Sequence, residues 1–256
     1  MATRLSTGLR NFLLAKGSLA AAFNGGILEV RTGSQPSSPN DAPSGTKLVT
    51  FTNASGAYTA ETPATGSIEL TGGAAGSINT VTVGGVNILD TAVPFNSSLA
   101  QTASDLADAI NQSVYNRDFD ATVSSVTVTL TCRPGRGTYF NSEAVSATLT
   151  TITASYSNMA SGAYAVNGLW FQEADSGILV KRASQIWSGV AVASGTAGWF
   201  RLKGPITDAD GSSTTALRLD GTIASSGGQL IMSPTTMTLG ATQTLASFSP
   251  TIPAEF

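Results

Sequence analysis

The chain has 256 residues, of which 41% are hydrophobic and only 11% are charged, and its formal net charge is −3. This composition is too apolar for a disordered chain, and the charge offers no basic surface for nucleic acid or an anionic membrane. The sequence lacks histidine, the commonest general base and transition-metal ligand, and its single Cys132 excludes an internal disulfide. We therefore expect a non-enzymatic protein without a cofactor, a metal or a catalytic residue.

The N-terminal segment predicts an amphipathic helix that begins near Ser6 or Thr7, is kinked at Gly17 and stops at Asn24-Gly25-Gly26. Its apolar residues fall near helical spacing: Leu5, Leu9, Phe12, Leu13, Leu19 and Phe23. The apolar run is broken at Lys16-Gly17, so we expect no signal peptide. No apolar stretch reaches the roughly 18 to 20 residues of a membrane span.

Residues 27–30 and 47–52 predict two strands, joined by a loop over 32–45 whose three prolines prevent regular strand pairing. A loop longer than about 12 residues is usually functional or disordered. We interpret this loop as a contact arm.

From about residue 62 the sequence indicates a second module, in which Gly84-Gly85 marks a tight hairpin. Ser98 and Gln101 can form a capping box at the start of a helix. The helix has one apolar stripe, made of Leu99, Ala103, Leu106, Ile110 and Val114. With strands predicted on both sides of it and Pro134–Gly137 as a hairpin turn, this segment is an α+β module with one helix on an antiparallel sheet.

Many short strands with Gly, Pro and Ser between them follow Ala154. Among them, residues 199–202 and 217–223 predict a long hairpin, whose alternation places Arg201, Arg218 and Asp220 facing outward or meeting across the strand pair. The predicted fold class is mainly β. Residues 1–61 and 155–256 form a β-sandwich or jelly-roll-like domain with an N-terminal helix, interrupted by the α+β module over 62–154, whose ends should lie close together.

Four patterns could carry chemistry, and each has a structural alternative. Gly135-Arg136-Gly137 resembles a phosphate cradle but lacks a following helix, which favours a hairpin turn. Asp208 and Asp210 before Gly211 resemble part of a calcium loop without its last acidic ligand, so a β-turn is favoured and a weak cation site stays open.

Glu173 and Asp175 lie beside aromatic residues, as glycosidase carboxylates can, but their i, i+2 spacing is typical of a solvated turn. Trp187 or Trp199 could stack on a sugar if exposed, although such residues more often close a β core. Cys132, in an alternating run, is expected to be a small buried residue.

Two sets of segments resemble known proteins. The opening RLSTGLRNFLL and AAFNGGILEVRTGSQPSSPNDAPSGTKLVTF, with the closing IWSGVAVASGTAGWFRL, TALRLDGTIASSGGQLIMS and GATQTLASFSPTIPA, resemble small structural proteins of tailed bacteriophages. The segments VTVGGVNIL and SLAQTASDLADAINQS resemble α+β modules of phage tail and other virion proteins. The resemblance implies a virion location, after synthesis in the bacterial cytoplasm, and no reaction.

We therefore expect a multi-copy tail or head-to-tail (neck or collar) protein that binds other virion proteins and copies of itself, without nucleic acid or membrane partners. A capsid-decorating protein is the first alternative. A host-glycan-binding module, acting through the inserted segment, is the second, and a monomeric β protein outside any assembly is the third.

Overall fold

The computed structural model describes residues 3–175 and 178–250. Strands make up 41% and helices 11% of it, in several antiparallel sheets, which confirms the predicted mainly β class. The chain divides into two compact units: Met1–Glu61 with Ala165–Phe256, here called the flank unit, and Thr62–Tyr164, the insert unit.

Three helices and seventeen strands are present in the described residues. The helices are α1 (Thr7–Ala15), α2 (Leu19–Phe23) and α3 (Leu99–Gln112). The strands are β1 (Arg4–Leu5), β2 (Ile27–Thr32), β3 (Lys47–Asn53), β4 (Thr65–Gly72), β5 (Ser77–Val83), β6 (Val86–Asn87), β7 (Val93–Pro94), β8 (Phe119–Ser124), β9 (Thr127–Cys132), β10 (Val145–Thr150), β11 (Thr153–Ala160), β12 (Trp187–Val190), β13 (Gly195–Lys203), β14 (Arg218–Ala224), β15 (Leu230–Ile231), β16 (Thr236–Met237) and β17 (Thr242–Leu245).

The flank unit is built on one nine-stranded sheet with the order β1-β14-β13-β2-β3-β12-β17, to which β15 and β16 add at β14 and β13. The predicted hairpin exists as β13 and β14, although the two strands are joined by a long loop over 204–217 and not by a tight turn. Side chains from α1, α2 and one face of this sheet form a single apolar core, which contains Phe12, Phe23, Phe200 and Trp187. The N-terminal helix is broken near Gly17, as its sequence predicts.

The insert unit has its own apolar core between two four-stranded sheets and α3. One sheet has the order β11-β4-β9-β8, and the other joins β10, β5, β6 and β7. The prediction of one helix on one sheet is therefore incomplete. Because β9 and β10 lie in different sheets, Pro134–Gly137 is part of a connecting loop between the sheets, and the predicted hairpin turn there is wrong.

The second predicted module boundary, after Ala154, falls inside β11. This strand pairs with β4 along most of its length, so it belongs to the insert unit, which continues to Tyr164. Alternating Ser, Thr and Ala residues in β11 resemble those of the flanking sequence, and only the pairing with β4 identifies its unit.

The two chain segments that connect the units run side by side. Thr59 and Val166 exchange two backbone hydrogen bonds, and Thr62 and Ala163 exchange two more, of 2.8–3.2 Å. The two ends of the insert unit therefore lie close together in space, which confirms the expectation from the sequence.

Candidate functional site: a buried ionic layer beneath the arm

The sheet of the flank unit has two different faces. Because side chains alternate along a strand, β2, β13 and β14 each direct apolar residues to the core and charged residues to the opposite face. We call the charged set on that face, together with two carboxylates from the 204–217 loop, the ionic layer. Its members are Glu29, Arg31, Arg201, Lys203, Asp208, Asp210, Arg218 and Asp220.

A fully buried ion pair joins β13 to β14. Arg201 and Asp220 are directly opposite each other in the strand register, and both side chains are 0% exposed. The guanidinium donates from Nε to Oδ1 and from Nη2 to Oδ2, each at 2.8 Å. Arg201 also lies over the Trp199 ring, 5.5 Å from its centroid. The bidentate ion pair with Asp220 and the contact with the Trp199 ring together fix the orientation of the Arg201 guanidinium.

Glu29 on β2 is the second anchor of the layer. Lys203 Nζ donates to its Oε1 at 3.0 Å, and Arg31 Nη2 donates to its Oε2 at 2.9 Å. Lys47 Nζ on β3 lies 3.5 Å from the same Oε1, at the rim of the layer. One carboxylate thus joins cations from three neighbouring strands.

The 204–217 loop, here called the covering loop, supplies the remaining carboxylates. Asp208 accepts from Arg218 Nε at 2.6 Å, and Gly211 O accepts from Nη2 of the same guanidinium at 2.8 Å. Asp210 forms ion pairs with Arg31 and Lys203. The loop is therefore held against the sheet by charges that the sheet itself provides.

The Pro-rich segment 33–46, here called the arm, lies on the same layer and is held largely through its backbone. Arg201 Nη1 donates to Asp41 O at 3.1 Å, Arg218 Nη1 donates to Pro39 O at 3.2 Å, and Arg4 donates to Pro36 O. Since proline has no N–H, carbonyl groups are the hydrogen-bonding groups that such a segment offers in excess.

Asn40 connects the arm to two further elements. Its side chain accepts from Thr7 N at 2.9 Å and donates to Thr7 Oγ1 at 2.8 Å, at the start of α1. Its carbonyl accepts from Ser213 N in the covering loop at 2.8 Å. The arm, the covering loop and the first turn of α1 therefore form one connected surface structure.

Burial and neighbouring charges shift the pKa values of the layer in different directions. Burial raises the pKa of Asp220 above its ordinary value, against the opposing effect of Arg201. Burial acts in the same sense on Glu29 and Asp208, but the ammonium and guanidinium groups around them outweigh it, so both pKa values are lowered. The pKa of Arg218 is raised, because its carboxylate neighbours favour the charged form more than burial disfavours it.

The eight charges of the layer cancel, since four are cationic and four are anionic. Each of these charges has an oppositely charged partner within the layer. The role of the ionic layer is structural, because it holds the arm and the covering loop against the sheet. Among the described residues, both amide atoms of Gln35 in the arm and Nε1 of Trp199 on β13 are buried without a hydrogen-bond partner.

The structure places the predicted candidate residues as follows. Asp208 and Asp210, considered for a cation, have the chain's own basic groups as their partners. Trp187 and Trp199 are both 0% exposed, so neither can stack on a sugar. Cys132 is buried on β9, as expected.

The other two candidates lie apart from the ionic layer. Glu173 and Asp175 are on an exposed segment. Arg136 pairs with Asp118, and the backbone of Gly137 lies against the Tyr164 ring, where an added Cβ would come within 2.1 Å of a ring carbon. The Gly-Arg-Gly motif thus serves contacts within the insert unit.

Sequence reasoning missed the ionic layer, including Glu29 and Lys203. A signal was present, because three apolar strands each carry charged residues at i and i+2: Glu29 and Arg31, Arg201 and Lys203, Arg218 and Asp220. On a solvent-exposed face this pattern is ordinary, so it could not by itself predict burial.

Exposed tyrosines form a second surface, on the insert unit. Tyr115 is 60% exposed and Tyr139 is 68% exposed, and Arg133, which follows β9, donates to Arg117 O. We call Tyr115, Arg117, Arg136, Tyr139 and Tyr164 the tyrosine surface. Tyr and Arg are the residue types enriched in binding surfaces.

Within residues 3–175 and 178–250, no cluster of three or more Asp, Glu, Cys or His side chains has the geometry to hold a metal ion. In the same residues, none of the helices has the length and apolar character needed to cross a bilayer. Neither the protein-family models, nor the curated sequences, nor the solved structures with which we compared the chain match it.

Proposed function

We propose that the chain is a non-enzymatic structural subunit of a tailed-phage virion, present in several copies in the tail or the head-to-tail region. The observation that carries this proposal is the ionic layer. It holds a Pro-rich arm and a long loop in a defined shape by charges that pair with one another within the chain. A surface of fixed shape of this kind is suited to packing against other subunits.

The small number of charged residues outside the ionic layer supports the same function. The chain contains only 13 basic and 16 acidic residues, and eight of them are in the ionic layer. The outer surface is thereby left poorer in charge than the composition alone suggests. Surfaces with few charges are poorly protected against association, and a multi-copy assembly would bury them.

The test is to look for the chain in purified particles. Quantitative mass spectrometry should find it there, and labelling with a specific antibody in electron micrographs should locate it. A count of about 3 to 12 copies, a ring-like number, supports the tail or neck, whereas hundreds of copies support the alternative of capsid decoration. Absence of the chain from purified particles would contradict both.

The tyrosine surface favours a second candidate function, recognition of a host glycan by the insert unit. Aromatic faces stack on sugars, and arginine donors can bind their hydroxyl or acidic groups. The purified chain should then bind host polysaccharide, and Tyr139→Ala should weaken binding while Tyr156→Ala, on β11, serves as the matched control. Release of reducing sugar by the chain would instead contradict the non-enzymatic proposal.

A further inference from the structure

One end of the flank sheet is free of charged residues. The two strands at this end, β12 and β17, and the residues 191–194 and 238–241 next to them contain no Asp, Glu, Lys or Arg. The neighbouring strand β3 carries no charge after Lys47. The ionic layer lies on the other strands, β2, β13 and β14.

This end of the sheet finishes in an edge strand, β17, whose outer hydrogen-bonding groups can be identified. Ala191 N donates to Ala241 O at 2.9 Å, and Val192 N donates to Leu48 O on the opposite side at 2.7 Å. Since successive residues of a strand direct their N–H and C=O to alternate sides, Thr242 and Thr244 direct theirs away from β12. Both residues are exposed.

Exposed apolar side chains accompany this edge. Val190 is 48% exposed and lies opposite Thr242, and Val192 follows it on the same face at 59% exposure. Gly240 N donates to Ala191 O, between the two valines, which brings the neighbouring Leu239, 64% exposed, to the same place. We call β17 with Val190, Val192 and Leu239 the neutral edge.

The neutral edge lacks charge, proline and bulges, three of the features that normally prevent edge-to-edge pairing, although β17 is only four residues long. Natural edge strands are protected by charged side chains, proline, bulges or shortness. The sequence of β17, TQTL, contains no charge and no proline, and its pairing with β12 is regular over four residues. The opposite edge strand, β1, is two residues long and carries Arg4.

We propose that the neutral edge pairs with the neutral edge of a second copy of this chain, with the two β17 strands antiparallel across a twofold axis. An uncharged edge must meet an uncharged partner if no charge is to be buried unpaired, and a second copy provides one of identical extent. When the β17 strands of two copies pair antiparallel, the outward backbone N–H and C=O groups of Thr242 and Thr244 in each copy form hydrogen bonds with those of the other copy. Because β1 is short and charged, the pairing closes as a dimer and does not extend into a fibre.

This inference names the surface by which the proposed virion subunit meets its own copies, and it depends on that function only for its biological setting. Sedimentation of the purified full-length chain, over a range of concentrations, should show a monomer–dimer equilibrium. Hydrogen exchange at Thr242 and Thr244 should slow as the dimer forms, whereas exchange in β1 should not change.

Two variants and one control test the edge directly. Thr244→Pro removes an outward N–H that makes no bond within the sheet, so the fold is retained and the dimer is lost. Thr242→Lys places a lysine of each copy on the paired β17 strands themselves, about 7–8 Å apart as diagonal cross-strand neighbours, and should weaken association at least tenfold. Leu14→Lys makes the same kind of change at an 86% exposed site on α1 and should leave association unchanged.

A chain that stays monomeric at its highest soluble concentration overturns the inference, as does a dimer that survives both edge substitutions with normal circular dichroism. Either result leaves the virion proposal standing if the chain is found in particles. Conversely, a dimer through the neutral edge in a chain absent from particles contradicts only the proposed function.

Discussion

At the level of single residues, the Arg201–Asp220 pair determines what a substitution in the ionic layer costs. Both side chains are fully buried, and desolvation removes much of the energy gained from their attraction. Such a pair adds little net stability compared with apolar residues of the same shape. Removing one partner, however, leaves the other charge buried without compensation, which is far more costly than the pair itself is favourable.

Asp220→Asn should therefore lower the free energy of unfolding of the flank unit by about 3–5 kcal/mol. The measurement is urea denaturation followed by tryptophan fluorescence. All three tryptophans, Trp170, Trp187 and Trp199, lie in the flank unit, so the signal reports on that unit alone.

Glu173→Gln is the matched control, because this carboxylate is exposed and should change stability by less than about 0.5 kcal/mol. The double variant Arg201→Met with Asp220→Leu should recover part of the loss, since it leaves no unpaired charge. Equal effects of Asp220→Asn and Glu173→Gln would contradict the assigned burial of the pair.

Among the structural elements, the arm shows how a segment without regular secondary structure is held in place. Its carbonyl groups accept from guanidinium groups that are themselves fixed by Asp220 and Asp208. A guanidinium is suited to this role because it presents several donors in one plane. An ammonium group at the same position could keep the ion pair but could not reach the arm and the carboxylate together.

Arg218→Lys should consequently loosen the arm without unfolding the sheet. Limited proteolysis with a protease of broad specificity should cleave within 33–46 at least several-fold faster than in the unsubstituted chain. Arg10→Lys is the control, since Arg10 is exposed and its guanidinium donates to Thr7 within its own helix. Unchanged cleavage of the arm in Arg218→Lys would mean that contacts other than those of Arg218 hold it.

For the protein as a whole, the two units have separate cores and the charged residues of the flank unit set its response to acid. Glu29 and Asp208 have lowered pKa values, so their contribution to stability is present above their ordinary values of 4.5 and 3.8 and is lost as the pH falls through the folded values. The contribution of Asp220 to the pH dependence has the opposite sign. Because its pKa is raised in the folded state, the folded state binds a proton more readily than the unfolded chain, and this contribution increases stability as the pH falls.

The lowered pKa values of Glu29 and Asp208 predict that the flank unit loses stability as the pH falls below 4.5. The chain has no histidine to titrate between about pH 5 and 8, so a change in stability within that range would be assigned to Asp220, whose pKa is raised. Urea midpoints measured by tryptophan fluorescence from about pH 3 to 8 test both statements. A midpoint that rises on acidification would show that Asp220 outweighs Glu29 and Asp208.

Local patterns predicted the elements well where neighbouring residues decide the structure. Ser98 caps α3 by accepting from Gln101 N at 3.1 Å, but the predicted capping box is incomplete, because the Gln101 side chain donates to Asp105 and Ser98 N donates to Asn96 O. In the predicted apolar stripe, Leu99 is half-buried and Ala103, Leu106 and Ile110 are buried. The stripe's last member, Val114, lies beyond the end of the helix and is 70% exposed. Gly84 and Gly85 form the predicted hairpin turn, both with positive φ, which glycine adopts without strain.

Contacts between residues distant in sequence decided which side chains are buried and to which unit a strand belongs. The alternation of β13 and β14 predicts that Arg201 faces Asp220, but an outward-facing pair and a buried pair have the same period of two. Burial comes from the arm, whose Asp41 is 160 residues from Arg201. In the same way, β11 belongs to the insert unit because it pairs with β4, and not because of its composition.

The sequence by itself therefore determined the mainly β class, the interruption near residue 62 and the position of most strands, since these depend on periodicity and turn residues within a few positions. Only the tertiary structure decided which sheet face is covered, which strand is an edge and which charges are paired. Each of these is a property of segments that meet in space, and no local pattern encodes a partner more than a hundred residues away.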